Sequence, residues 1–155
     1  MERHDEALVA AKQYVRISEH MLLVTYKITQ EPKILVGMVE NLFLAAAKGI
    51  HAVLLFERTY KRVPMWGESF AGKIAVFQDH VVGKHGFTNA DLELLTGLQD
   101  MVVRHKESPV EFSRKKEFIM CDNDYHISKI TAQFVDEHIK KTAAFLRKVE
   151  GHIHA

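Results

Sequence analysis

The densest concentration of groups able to hold an anion lies in residues 104–116, which read Arg104-His105-Lys106-Glu107-Ser108-Pro109-Val110-Glu111-Phe112-Ser113-Arg114-Lys115-Lys116. Guanidinium and ammonium groups bind phosphate or carboxylate oxygens through charge-assisted hydrogen bonds, so Arg104, Lys106, Arg114 and Lys116 are the expected anion-binding residues. Phe112 is expected to pin this loop to the core. A helix stopped by Pro109 puts Arg104, His105 and Lys106 in its last turn, where the helix dipole favours cations whether or not a ligand is bound. Glu107, Glu111 and Glu117 dilute the positive field.

Three other patterns suggest chemistry and fall short of it. Gly67-Glu68-Ser69-Phe70-Ala71-Gly72-Lys73 has the spacing of a phosphate-binding loop, but Ile74 stands where a magnesium-holding hydroxyl is required, and no strand pattern precedes it. Ten histidines raise the question of metal. Yet no carboxylate is followed three residues later by histidine, as a bundle di-iron site requires, and no His-Glu-x-x-His zinc motif occurs. His51 and His138 fall within helical patterns as ordinary polar groups, and His152 and His154 crowd the C-terminal end, so the sequence predicts neither a metal site nor a cofactor. Cys121 is the single cysteine, which rules out an internal disulfide, and it reads as a partly buried structural residue.

These groups must be carried by helices. Ala7, Ala10, Ala11, Tyr14, Ile17, Met21, Val24 and Ile28 recur at steps of three and four, the mark of one helical face. Gln30-Glu31-Pro32 restarts the chain into a second helix with a wide apolar stripe from Leu35 to Leu54, ending before Val63-Pro64. A third helix is expected over about 69–82. A fourth, capped by Thr88 or Asn89, carries Leu92, Leu95, Leu98, Met101 and Val102 and stops at Pro109. Residues 110–121 alternate in polarity and predict a short extended piece or two-stranded hairpin. Asp122-Asn123-Asp124 then reads as a turn that starts a last helix carrying Ile127, Ile130, Phe134, Ile139, Leu146 and Val149. The expected fold is all-α: one domain over residues 1–155, a bundle of about five helices with a long antiparallel first pair.

Composition narrows the function classes. Hydrophobic residues make up 47% of the 155-residue chain, enough for a real core. Lys and Arg number 21 against 20 Asp and Glu, so any nucleic-acid contact must come from a local patch. The most apolar window, residues 34–56, is interrupted by Glu40, Asn41, Lys48 and His51, which argues for a core helix rather than a membrane span. The charged start Met1-Glu2-Arg3-His4-Asp5-Glu6 lacks an apolar signal core, so the expected compartment is the cytoplasm.

In layout the chain resembles the HEPN domains (higher eukaryotes and prokaryotes nucleotide-binding). The resemblance rests on the central helix with its Ala45-Ala46-Ala47 run, on the following helix over 92–104, and on the break at 104–112 that feeds a long last helix. It covers most of the chain and implies a dimer that binds a nucleotide, RNA or a partner protein. Active members are metal-independent ribonucleases with an Arg-x(4–6)-His motif. The equivalent arginine is Arg104, but Pro109, Val110 and Glu111 stand where the histidine belongs, with His105 directly beside it. Arg147 and His152 have the motif's spacing at the other end of the last helix. The expectation is therefore a non-catalytic, dimeric, RNA- or nucleotide-binding bundle. Its alternatives are a ribonuclease using Arg104 or Arg147 with His105 or His152, and a homo-oligomer without a ligand.

Overall fold

The computed structural model describes residues 3–154. Its first helical run consists of α1 (His4–His20), a π-helical turn (Met21–Thr25) and α2 (Tyr26–Thr29). Asp5 and Glu6 occupy the first turn of α1, where the helix dipole favours acids, and the Glu6 carboxylate accepts from the Arg3 backbone N–H at 3.3 Å. The run ends at Gln30, which adopts φ 52° and returns its N–H to the Tyr26 carbonyl at 2.8 Å.

Helix α3 (Ile34–Thr59) then runs back along the first. Successive contacts fix the antiparallel sense. Met21 meets Gly37 and Asn41, the Ser18 hydroxyl donates to the Met38 carbonyl at 2.9 Å, and His4 packs edge-on against Phe56. Helix α3 is the centre of the molecule, burying Leu35, Met38, Leu42, Ala46, Ile50 and Leu54 completely. It is long and apolar enough to cross a membrane, and half of its apolar window is covered by the other helices. A Cβ on Gly49 would lie 2.8 Å from a Leu146 methyl and 3.0 Å from the Phe145 ring, so the last helix crosses α3 at a spacing that only glycine allows.

Ser69 caps α4 (Phe70–His80) by accepting from the Gly72 N–H at 3.0 Å. The phosphate-loop-like segment thus follows an irregular stretch and opens a helix with no strand before it. Gly83 and Gly86, both at positive φ, turn the chain into α5 (Asn89–Glu107). Thr88 caps α5 as the sequence suggests, its N–H donating to Asp91 at 2.9 Å. Asp91 is buried and also receives Lys148 at 2.9 and 3.1 Å, which ties α5 to α6 (Ala132–Ile153).

Between α5 and α6 the expected hairpin is present, and an unexpected strand is added to it. Residues 110–121 form a hairpin, β1 (Val110–Arg114) and β2 (Glu117–Cys121), and a third antiparallel strand, β3 (Ile127–Ile130), joins it in the order β1-β2-β3. The molecule is therefore mainly helical rather than all-α. Ile127 and Ile130, assigned from their spacing to the last helix, belong to β3. The cause is local: Asp122 accepts from the N–H groups of Asp124 and His126 at 2.9 and 2.8 Å, and Tyr125 takes φ 63°. That turn sends the chain back along β2, and α6 begins only where Thr131 accepts from the Phe134 N–H at 3.0 Å.

Candidate functional site

The register of the small sheet sorts its side chains onto two faces. Glu111, Ser113, Phe118, Met120, Ser128 and Ile130 point inward, and Phe118, Met120 and Ile130 join the core. Val110, Phe112, Arg114, Ile119, Ile127 and Lys129 point outward, with Glu117 directly across from Arg114 on the same face. Phe112 is 46% exposed, so the expectation that it pins the loop to the core is corrected. Its parity in the strand sends it to solvent, and Phe118 and Met120 do the anchoring. Ile119, in the middle strand between Phe112 and Lys129, is buried yet stands outside the main core cluster. The outward face is thus a small apolar surface with exposed Val110, Phe112 and Ile127, and Tyr125 stands exposed at the β2–β3 turn.

One end of this face is strongly positive. Arg114, Lys115 and Lys116 form the exposed tip of the β1–β2 hairpin, with Lys115 at φ 55°. Their side chains make no hydrogen bond or ion pair among the described residues. Lys129, on the same face, lies 3.8 Å from Glu117 in a solvent-exposed pair that holds it loosely.

The other residues expected to bind anions are elsewhere. Arg104 sits in the last turn of α5, donating to the Ser128 hydroxyl at 2.7 Å and pairing with Asp100 at 2.9 Å. His105 contacts Glu111 through Nδ1 at 2.7 Å, and its Nε2 lies 4.0 Å from Glu40. Both therefore tie the helix end to the inward side of the sheet, among three carboxylates. Lys106 is exposed on the same turn. The structure places Arg104 and Arg114 on opposite sides of the sheet and forms no single pocket from them.

The Arg147–His152 pair is also divided. Arg147 is exposed and lines a shallow groove between α1 and α6 with Lys12, Arg16, Glu19 and Glu150. His152 points the other way, and its Nε2 meets the buried Glu57 carboxylate at 2.5 Å. Five residues along a helix turn through about 500°, which leaves the two side chains some 140° apart.

No local sequence pattern marks the group around Glu57. Arg62 holds that carboxylate through Nε at 2.8 Å and Nη2 at 3.2 Å, and its guanidinium lies over the Tyr60 ring at 4.7 Å. His85 stacks on His152 with ring centroids 4.2 Å apart. Burial pushes the Glu57 pKa up, but the hydrogen bonds from His152 and Arg62 outweigh it and hold the carboxyl below its usual range.

Compared with protein-family models, with curated proteins and with solved structures, the chain matches none significantly.

Proposed function

We propose that the protein is a non-catalytic, HEPN-like helical protein of the cytoplasm that binds single-stranded RNA on the outward face of its three-stranded sheet. The observation that carries this reading is the exposed Phe112 ring on the outward face two residues from Arg114, beside the unpaired cations Arg114, Lys115 and Lys116 of the hairpin tip, with a second exposed ring, Tyr125, at the far end of the sheet. Single-stranded nucleic acid is held by that pairing of chemistries: bases stack on aromatic side chains, and Lys and Arg follow the backbone phosphates. The near-zero net charge of the chain makes the patch local, so binding should be modest and strongly dependent on salt. The two Arg–His combinations that suggested a ribonuclease act in this reading as structural ties, Arg104 and His105 to the sheet and His152 to Glu57.

The reading includes a homodimer formed through helices. The first helical run leaves Leu23, Val24 and Ile28 exposed toward its end, an apolar patch that a second copy would cover. Light scattering should report twice the 17.8 kDa chain mass at micromolar concentration.

Fluorescence anisotropy with an unstructured, labelled oligoribonucleotide tests the function directly. The expected result is binding whose affinity falls linearly in log–log form with salt, at a slope of about two to three for three phosphate-contacting cations. Absence of binding at low salt, or equal binding to a neutral-backbone analogue, would overturn it.

A further inference from the structure

The end of the bundle opposite the α2–α3 turn gathers three potential metal ligands from three separate elements. Glu57 comes from the last turn of α3, His85 from the Gly83–Gly86 turn between α4 and α5, and His152 from the last turn of α6. One donor atom from each lies within 4.8 Å of the others. From the donor set, the convergence and the burial together, we propose that Glu57, His85 and His152 form a binding site for a divalent transition-metal ion of the zinc class.

The donor chemistry is specific. Two imidazoles and one carboxylate suit zinc, which takes such donors at about 2.0–2.2 Å in a tetrahedron. Donors around such an ion stand roughly 3.4 Å from one another. His152 and Glu57, now 2.5 Å apart, would separate by about 1 Å, and His85 would swing inward from its stacked position. His85 is exposed and sits on a two-glycine turn, so that adjustment falls on the most adaptable part of the site. The fourth position would face solvent on the same side and take a water molecule.

The surroundings match what a bound metal requires. Ligating carboxylates are themselves hydrogen-bonded, which fixes their plane. Arg62 does this for Glu57 with two bonds to its two oxygens. The walls are aromatic: Phe56 and Phe87 stand edge-on to the His152 ring at 5.1 and 5.9 Å, which limits its rotation. The ion would join the ends of α3 and α6 to the α4–α5 turn, a clamp at the open end of the bundle.

The other three-residue group, Asp122, Asp124 and His126, lies wholly exposed in the β2–β3 turn. Its donors already close that turn, and it carries no such argument.

The test uses the full chain and zinc or cobalt(II) alone. Calorimetry should give one ion per chain, and cobalt(II) should give the intense visible d–d absorption of a four-coordinate centre. His85→Asn is the deciding variant, because the residue is exposed and Asn tolerates its left-handed backbone at φ 56°. It should weaken zinc binding by about tenfold or more with the circular dichroism unchanged, whereas His154→Ala should leave binding unaltered. No binding by the wild type overturns the proposal. So does affinity that survives His85→Asn, or that is lost in His154→Ala, since the ion is then held adventitiously by the terminal histidines. None of these outcomes depends on RNA binding by the sheet, which lies among other elements.

Discussion

The outward sheet face and the Glu57 centre both contain arginine, aromatic rings and a carboxylate, and they use them in opposite ways. On the sheet, Arg114 and its two lysine neighbours stand free in water, and Phe112 and Tyr125 show their rings to solvent. Around Glu57, the guanidinium, the imidazole and the carboxylate satisfy one another behind a wall of phenylalanines. An exposed cation costs almost nothing to leave unpaired, whereas a buried carboxylate is tolerable only when its partners are in place. The first arrangement is available to an incoming ligand, and the second holds the chain together whether or not an ion is present.

That contrast is broken most severely by Glu57→Ala. The substitution leaves the largely buried His152 without its partner and frees Arg62, so the expected loss is roughly 2–4 kcal/mol, read by urea denaturation, with RNA affinity unchanged. Acid should reproduce part of it. Because the folded-state pKa of Glu57 lies below the ordinary 4.5, its contribution is complete above that pH and is lost as pH falls through and below it. A wild-type stability that stayed flat below pH 4.5, or fell no faster than that of Glu57→Gln, would place the stabilisation elsewhere.

The opposite pattern is expected on the sheet. Phe112→Ala should weaken RNA binding by about 1–3 kcal/mol, since one stacked base is lost, while stability moves by less than about 1 kcal/mol. A smaller effect separates two arginines that the sequence makes look equivalent. Arg114→Ala should lower the salt slope of binding by about one unit and leave stability within about 0.5 kcal/mol. Arg104→Ala should do the reverse, losing its bond to Ser128 and its pair with Asp100 while the salt slope stays put. If both arginines shift the slope equally, the two-sided division of the loop is wrong.

Helices α3 and α5 were legible because their local signals agreed with the packing that followed, whereas on the first helical run Ile17, Val24 and Ile28, expected on its apolar face, stand exposed and Leu8, Val15, Leu22 and Tyr26 are buried instead. The Thr88 cap, the stop at Pro109 and the apolar steps of α3 all reappear in the structure. Strand β3 was not legible, because Ile127 and Ile130 lie three apart, which suits a helix face as well as the two faces of a strand. What decided between them was the Asp122 turn, whose hydrogen bonds reach across four residues. Arg114 and Lys116 could be singled out as local charge, but not the direction of Phe112, which depends on strand parity and flips with a one-residue slip. The Glu57 group was hidden more deeply. His152 lies 95 residues from Glu57, and no local pattern joins them.

Strand β1 lies at the edge of the sheet, its second row of backbone groups unpaired by any other strand among the described residues. Such an edge, with Val110 and Phe112 exposed beside it, is a template on which further copies could stack into aggregates. The chain guards it at both ends. Pro109 precedes the strand and offers no N–H to a neighbour, and the Arg114-Lys115-Lys116 tip repels the same tip of an approaching copy. The cations proposed to grip RNA are therefore also the gatekeepers of solubility. Neutralising them, by mutation or by a bound polyanion in excess protein, should leave the edge able to recruit its own kind.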